Sequence, residues 1–131
     1  MTIELTLSGV PITKKNHQQI MRNRSTGKPF ISQSERYKQY EADCIWQIPK
    51  QCKLNIDRPC HVTTVFFMPD RRRVDVSNLV SACHDILVAA QVIKDDSSGI
   101  VARLTAWCEV DKAHPRVEVE IRTLRVLEVD K

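Results

Sequence analysis

The chain has 131 residues, with 20 Lys and Arg against 16 Asp and Glu and a formal net charge of +4. That length holds one core rather than two, and that charge is too small to mark a nucleic-acid protein by itself. The five cysteines (Cys44, Cys52, Cys60, Cys83, Cys108) contain no C-x-x-C pair and the four histidines add no zinc spacing, which argues against a zinc-built module and for a reducing, cytoplasmic compartment. No apolar run approaches the roughly 20 residues of a membrane span, and Met1 leads straight into the alternating IELTLSG with no signal-peptide pattern. The expectation is one soluble domain over residues 1–131 with no membrane partner.

In chain order, Ile3, Leu5 and Leu7 alternate with polar residues until Gly9 and Pro11, which predicts a half-buried strand over 2–9. Residues 10–32 show no sustained period and carry Lys14, Lys15, Arg22, Arg24 and Lys28 without one acid. They read as a long basic loop with room for a short hairpin around STGK, and long loops inside compact domains are commonly functional. Ser32 or Ser34 can cap a helix that runs to about Ile48, where Pro49 ends it. The β-rich run CHVTTVFFM then reads as a second strand and delivers the chain to MPDRRRVDVSNL.

From Val76 onward Leu79, Val80, Cys83, Ile86, Leu87 and Ala90 fall at helical spacing, so this second helix has a core face, with Asn78, Ser81 and Asp85 on the polar side. Cys83 belongs to the apolar stripe, and His84 is placed opposite it with no ligand partner at helical spacing. Beyond KDDSSG, residues 100–110 and 116–123 read as two strands joined as a hairpin by DKAHPR. The pattern predicts an α+β, two-layer fold, with helices packed on a small mixed or antiparallel sheet whose strand order is not legible.

The helix is bracketed by Arg71, Arg72 and Arg73 on one side and Asp95 and Asp96 on the other, with Asp75 at its start. Carboxylates that converge need a cation, and Mg²⁺, held by a few carboxylate oxygens and by substrate phosphate, is the usual one. Arginines beside such a site suit a phosphate substrate. A helix of about fifteen residues spans roughly 22 Å, so Asp75 and the DD pair meet only if the loop folds back or if a second subunit contributes. Each residue also has a purely structural role open to it: Asp75 as a helix cap, the arginines as a solvated run, DDSSG as a turn.

MPDRRRVDVSNL followed by the KDD turn resembles the RusA family of Holliday-junction resolvases, small homodimeric enzymes encoded largely by phages and prophages. In that likeness Asp75 stands for the first aspartate of D-x-D-N-L, Asn78 and Leu79 for its N-L, Asp85 for a recurrent helix aspartate, and Asp95 with Asp96 for the DD pair. It implies a homodimeric, Mg²⁺-dependent structure-specific endonuclease of DNA recombination and repair, acting on four-way junction DNA, with Mn²⁺ as a possible substitute. Asp75 and Asp96 would be catalytic, and Asp75, Asp96, Asp95 and Ser77 would form the metal set, supported by Asn78 and Asp85. Arg71, Arg72, Arg73, Lys14, Lys15, Arg22, Arg24 and Lys28 would contact DNA. Ser77 stands where the family pattern carries a second aspartate and Ser81 where many members carry a lysine, so the alternative reading is a junction-binding protein with weakened or lost cleavage.

Overall fold

The computed structural model describes residues 1–14, 18–22, 24–33 and 35–125. Strand β1 (Thr2–Ser8) is followed by a hairpin of β2 (Gln18–Arg22) and β3 (Pro29–Gln33), helix α1 (Glu35–Gln47), strand β4 (Cys60–Met68), helix α2 (Val76–Ala89), and strands β5 (Val101–Val110) and β6 (Arg116–Thr123). Two helices and a four-stranded mixed sheet make the α+β fold that the patterning predicts. The hairpin around STGK is present, with Ile20 paired to Ile31. Among the described residues no helix is long and apolar enough to cross a membrane.

The sheet order is β1-β6-β4-β5. β1 and β6 pair antiparallel, β6 and β4 antiparallel, and β4 and β5 parallel. The expected hairpin of the last two strands is therefore not formed. A parallel β4–β5 pair needs a crossover helix, which α2 supplies, and β6 then reverses on the far side of β4. The connection 111–115 must pass over the end of β4, and it is tied there, because the Asp111 N–H donates to the Met68 carbonyl at 2.8 Å. Short linkers between alternating strands read as hairpins in sequence; the pairing partner is decided by which edge α2 leaves open.

Alternation does the packing. Ile3, Leu5 and Leu7 of β1, Val62 and Phe66 of β4, and Val117, Val119 and Ile121 of β6 all face one layer. Against them lie Cys44 of α1, Ile48 just beyond its end, and Leu79, Ile86 and Leu87 from α2. Full burial of each such side chain is worth about 1.5–3 kcal/mol. α2 is wrapped more completely than its stripe predicts: Ala82 and His84 are buried along with Cys83, so His84 does not face solvent opposite the core. Gly9 leaves β1 with φ of 123°, a conformation that L side chains rarely adopt, and its N–H donates to the Pro115 carbonyl at 3.1 Å.

Arg116 fastens the 111–115 crossover. Its guanidinium donates to Asp111 at 2.8 Å, to the His114 carbonyl at 2.9 Å and to Glu118 at 3.0 Å, and lies 3.8 Å from the Phe67 ring centroid. These bonds, led by the one from Arg116, hold the Asp111 carboxyl below its ordinary value of 3.8. A depressed carboxyl stabilises the fold above its unfolded pKa, and that contribution is lost as pH falls through the folded one. Arg116→Ala should lower the thermal midpoint at neutral pH, with the gap from wild type narrowing as pH drops below about 4. Thermal melts from pH 7 to pH 2 check this; a constant gap would contradict it.

Candidate nucleic-acid interface and carboxylate site

The C-terminal end of β4 delivers Pro69–Val74 and then the start of α2. Asp70 organises this turn by accepting from the Arg72 N–H at 2.8 Å, an Asx turn of the kind Asp favours. Arg71, Arg72 and Arg73 are all exposed. Arg72 and Arg73 line a cleft of about 380 Å³ together with Val10, Pro11, Ile12, Thr13, Asp70 and, from α1, Arg36. Three guanidiniums from two elements thus share one concavity, an arrangement suited to phosphate oxygens. Sequence reasoning missed Arg36. A signal was available: a cation in the first turn of a helix opposes the macrodipole, a local cost that an external anion removes.

The basic loop divides. Lys14 bonds Asp85 of α2 at 3.0 Å and lies 5.8 Å from the Tyr37 ring centroid. Two residues expected in separate roles, a DNA contact and a supporting acid, are therefore paired with each other. Both side chains are about a third exposed, and ion pairs of this kind contribute about 0–1 kcal/mol, so the pair anchors the loop to α2 at little cost if it opens. Arg24 and Lys28 are exposed in the turn between β2 and β3. Lys15 and the side chain of Arg22 lie outside the described residues.

Asp75 is the N-cap of α2. Its Oδ1 accepts from the Ser77 N–H at 3.0 Å and from the Ser77 hydroxyl at 2.7 Å. Asp95 repeats the motif, accepting from the Ser97 N–H at 2.9 Å and its hydroxyl at 2.6 Å, and those bonds hold its carboxyl below the usual range. Both aspartates thus stand in the same D-x-S turn. Asn78 is half-buried, and Ser77, Ser81 and Asp96 are exposed.

The DD loop folds back onto the segment that precedes β4. Segment 91–94 is stitched to 55–56 by Asn55 N–H to the Gln91 carbonyl, Ile56 N–H to Val92 and Lys94 N–H to Ile56. Asp96 then lies within electrostatic reach of His84: burial pushes the imidazole pKa down, against the opposing pull of Asp96 and Asp85. His84 is nine residues from Asp75, roughly 13 Å along the helix. Among the described residues no three His, Cys, Asp or Glu side chains gather closely enough to hold a metal ion. The His84 Nε2 atom is buried without a hydrogen-bond partner.

Two comparisons bear on this arrangement. The chain is 29% identical over 121 residues to the crossover junction endodeoxyribonuclease RusA of Aquifex aeolicus (strain VF5), covering 92% of this chain and 90% of that protein. The family model for endodeoxyribonuclease RusA matches residues 8–122, which takes in the arginine cleft, Asp75 and the DD loop alike. The chain belongs to the RusA family.

Proposed function

We propose that the protein is a structure-specific endonuclease that cleaves four-way DNA junctions by Mg²⁺-dependent phosphodiester hydrolysis, working as a homodimer in cytoplasmic DNA recombination and repair. The observation that carries this is the juxtaposition, inside the RusA match, of an arginine cleft and an exposed aspartate at the start of the next helix. The Aquifex relative's description as a crossover junction enzyme supports the substrate. In this reading Arg71, Arg72 and Arg73 hold the DNA backbone, and Asp75 and Asp96 hold the ion, with Asp95 and Ser77 beside them. Exposed carboxylates are the right donors for Mg²⁺ or Mn²⁺, but one chain gathers no group of three such donors among its described residues. A second copy is then the source of the missing ligands. When bound, the ion supplies an activated water and charge stabilisation at the scissile phosphate.

The second reading, junction binding with weak cleavage, rests on Ser77. Its hydroxyl donates to Asp75 at 2.7 Å, occupying with a neutral group the place of a second carboxylate. Incubating a synthetic four-way junction with the protein in Mg²⁺, Mn²⁺ or EDTA decides between them. Paired nicks that need metal establish the nuclease, and tight binding without nicks in either ion establishes the alternative.

The arginines give a separate expectation. Alanine at Arg71, Arg72 and Arg73 together should weaken binding to many DNA sequences about equally and reduce the slope of log affinity against log salt by roughly one unit for each phosphate no longer neutralised. An unchanged slope would make the triplet a solvated run.

A further inference from the structure

Trp46 is 88% exposed, the most exposed of the large hydrophobic side chains among the described residues. It stands in the last turn of α1, about 200° around the helix from the buried Cys44, so no packing requirement puts an indole there. Trp107, the other tryptophan, is less exposed and donates its Nε1 to Glu109 at 3.1 Å. Trp46 has no ring contact and no hydrogen bond from its indole among the described residues. Just beyond it Pro49 ends the helix and a tight turn, Lys50–Cys52, follows. Lys50 and Lys53 are exposed there, and neither is in an ion pair among the described residues. Residues 44–56 contain these two lysines and no acid. The nearest acid before them, Asp43, accepts from Gln39 at 2.8 Å.

The segment is held on both sides. Gln47 clamps the end of β1, accepting from the Ser8 N–H at 2.6 Å and donating to the Ser8 carbonyl at 2.9 Å. The turn closes through backbone N–H groups that donate from Cys52 to Pro49, from Lys53 to Lys50 and from Leu54 to Cys52. The Asn55 and Ile56 N–H groups then donate to the carbonyls of Gln91 and Val92. Lys94 donates its N–H to the Ile56 carbonyl and its Nζ meets Asp57 at 3.2 Å, one residue before Asp95. A fixed indole, two uncommitted cations and a path to the DD loop thus lie on one connection.

We infer that Trp46 is a stacking platform for an unpaired base of branched DNA, with Lys50 and Lys53 on the flanking phosphates. This rests on the junction-nuclease reading above and adds a contact that tells unpaired from paired DNA. An aromatic ring beside cations suits a single strand, because every base has a π face to lay on the ring while the cations track the backbone. A duplex keeps its bases stacked on one another and offers this patch only phosphates. The arginine cleft has no aromatic residue in its lining, so it meets phosphates and leaves base stacking to another surface. Four residues of chain reach at most about 14 Å, which keeps Lys50 close enough to hold a phosphate next to the stacked base. An exposed tryptophan also suits a protein partner, but two lysines with no acid around them favour a polyanion.

Three probes test this in EDTA, where no metal-dependent cutting intervenes: an oligothymidylate, an abasic strand of the same length with the same phosphates and no bases, and a duplex. Trp107→Phe leaves Trp46 as the sole tryptophan, and its emission should be quenched by the oligothymidylate and hardly at all by the other two. Trp46→Ala should weaken oligothymidylate binding about tenfold, the order expected for one stacked base, with duplex affinity and melting temperature unchanged. Trp46→Phe, which keeps a ring, should restore most of that loss. Alanine at Lys50 and Lys53 together should lower the single-strand salt slope by about 0.7 for each lysine. Equal oligothymidylate affinity in Trp46→Ala and wild type, or an abasic strand bound as tightly as the oligothymidylate, would overturn the platform, and metal-dependent junction nicking in the same preparation would leave the nuclease reading standing. Base-dependent quenching in a protein that neither binds nor nicks a four-way junction would instead end the nuclease reading and keep Trp46 as a single-strand contact.

Discussion

Asp75→Asn and Asp96→Asn are each expected to cut junction nicking by about 10³-fold or more, because each removes a charge that holds the metal, whose stabilisation of the transition state is worth several kcal/mol. Junction affinity should stay within severalfold, since neither residue is a phosphate contact in this reading. The local geometry makes the Asp75 variant a clean probe. Asp75 caps α2 through its Oδ1, bonded to the Ser77 N–H and hydroxyl, and asparagine caps helices as well as aspartate does. Stability should therefore be unchanged while activity disappears. Asp75→Ala would confound the two by removing the cap as well, at a cost of about 1 kcal/mol. Asp95→Asn should be milder, because the family likeness sets the second aspartate of the pair, Asp96, at the metal. Single-turnover cleavage alongside thermal melts checks all three; metal-dependent cutting retained in both principal variants would sink the site assignment.

Ser77→Asp should act in opposite directions depending on whether a metal is present. In wild type the Ser77 hydroxyl donates to Asp75 at 2.7 Å. An aspartate there removes that donor and sets two carboxylates on adjoining positions of one exposed turn, raising their pKa values and loosening the start of α2. Without divalent ion the variant should melt below wild type. With Mg²⁺ the same charge becomes a ligand, so the melting temperature should climb past wild type along a titration and nicking should rise at least tenfold, while wild type nicks slowly or prefers Mn²⁺. A variant destabilised at every metal concentration, with no gain in cleavage, would falsify the metal-site reading.

The elements were legible where one periodicity dominates. β1 and β6 alternate cleanly and α2 carries an apolar stripe, so their spans are readable to within a residue or two. Pairing was not legible, because β6 reaches β4 only by way of the 111–115 crossover, and nothing in DKAHPR distinguishes a hairpin turn from a strap over the end of a strand. The site divides in the same way. Asp75, Ser77, Asp95 and Asp96 announce themselves through a local motif, and so do the three arginines. Arg36 and the Lys14–Asp85 pair depend on α1, α2 and the basic loop coming together in space, which no local pattern records. His84 was misplaced because a stripe identifies the most buried face of a helix and says little about how far around the helix the covering extends.

The position of β6 also governs when the sheet can exist. It is the last of the described strands in chain order, yet it lies inside the sheet, hydrogen-bonded to β1 on one side and β4 on the other. Until residues 116–123 have left the ribosome, β1 and the β4–β5 pair have no common neighbour, and each keeps an open edge. The sheet must therefore wait for residues 116–123, and a chain halted at the 111–115 crossover would lack its keystone rather than its margin. Assembly of this sheet is dominated by contacts distant in sequence, the regime in which rates are slow and exposed strand edges invite association with the wrong partner.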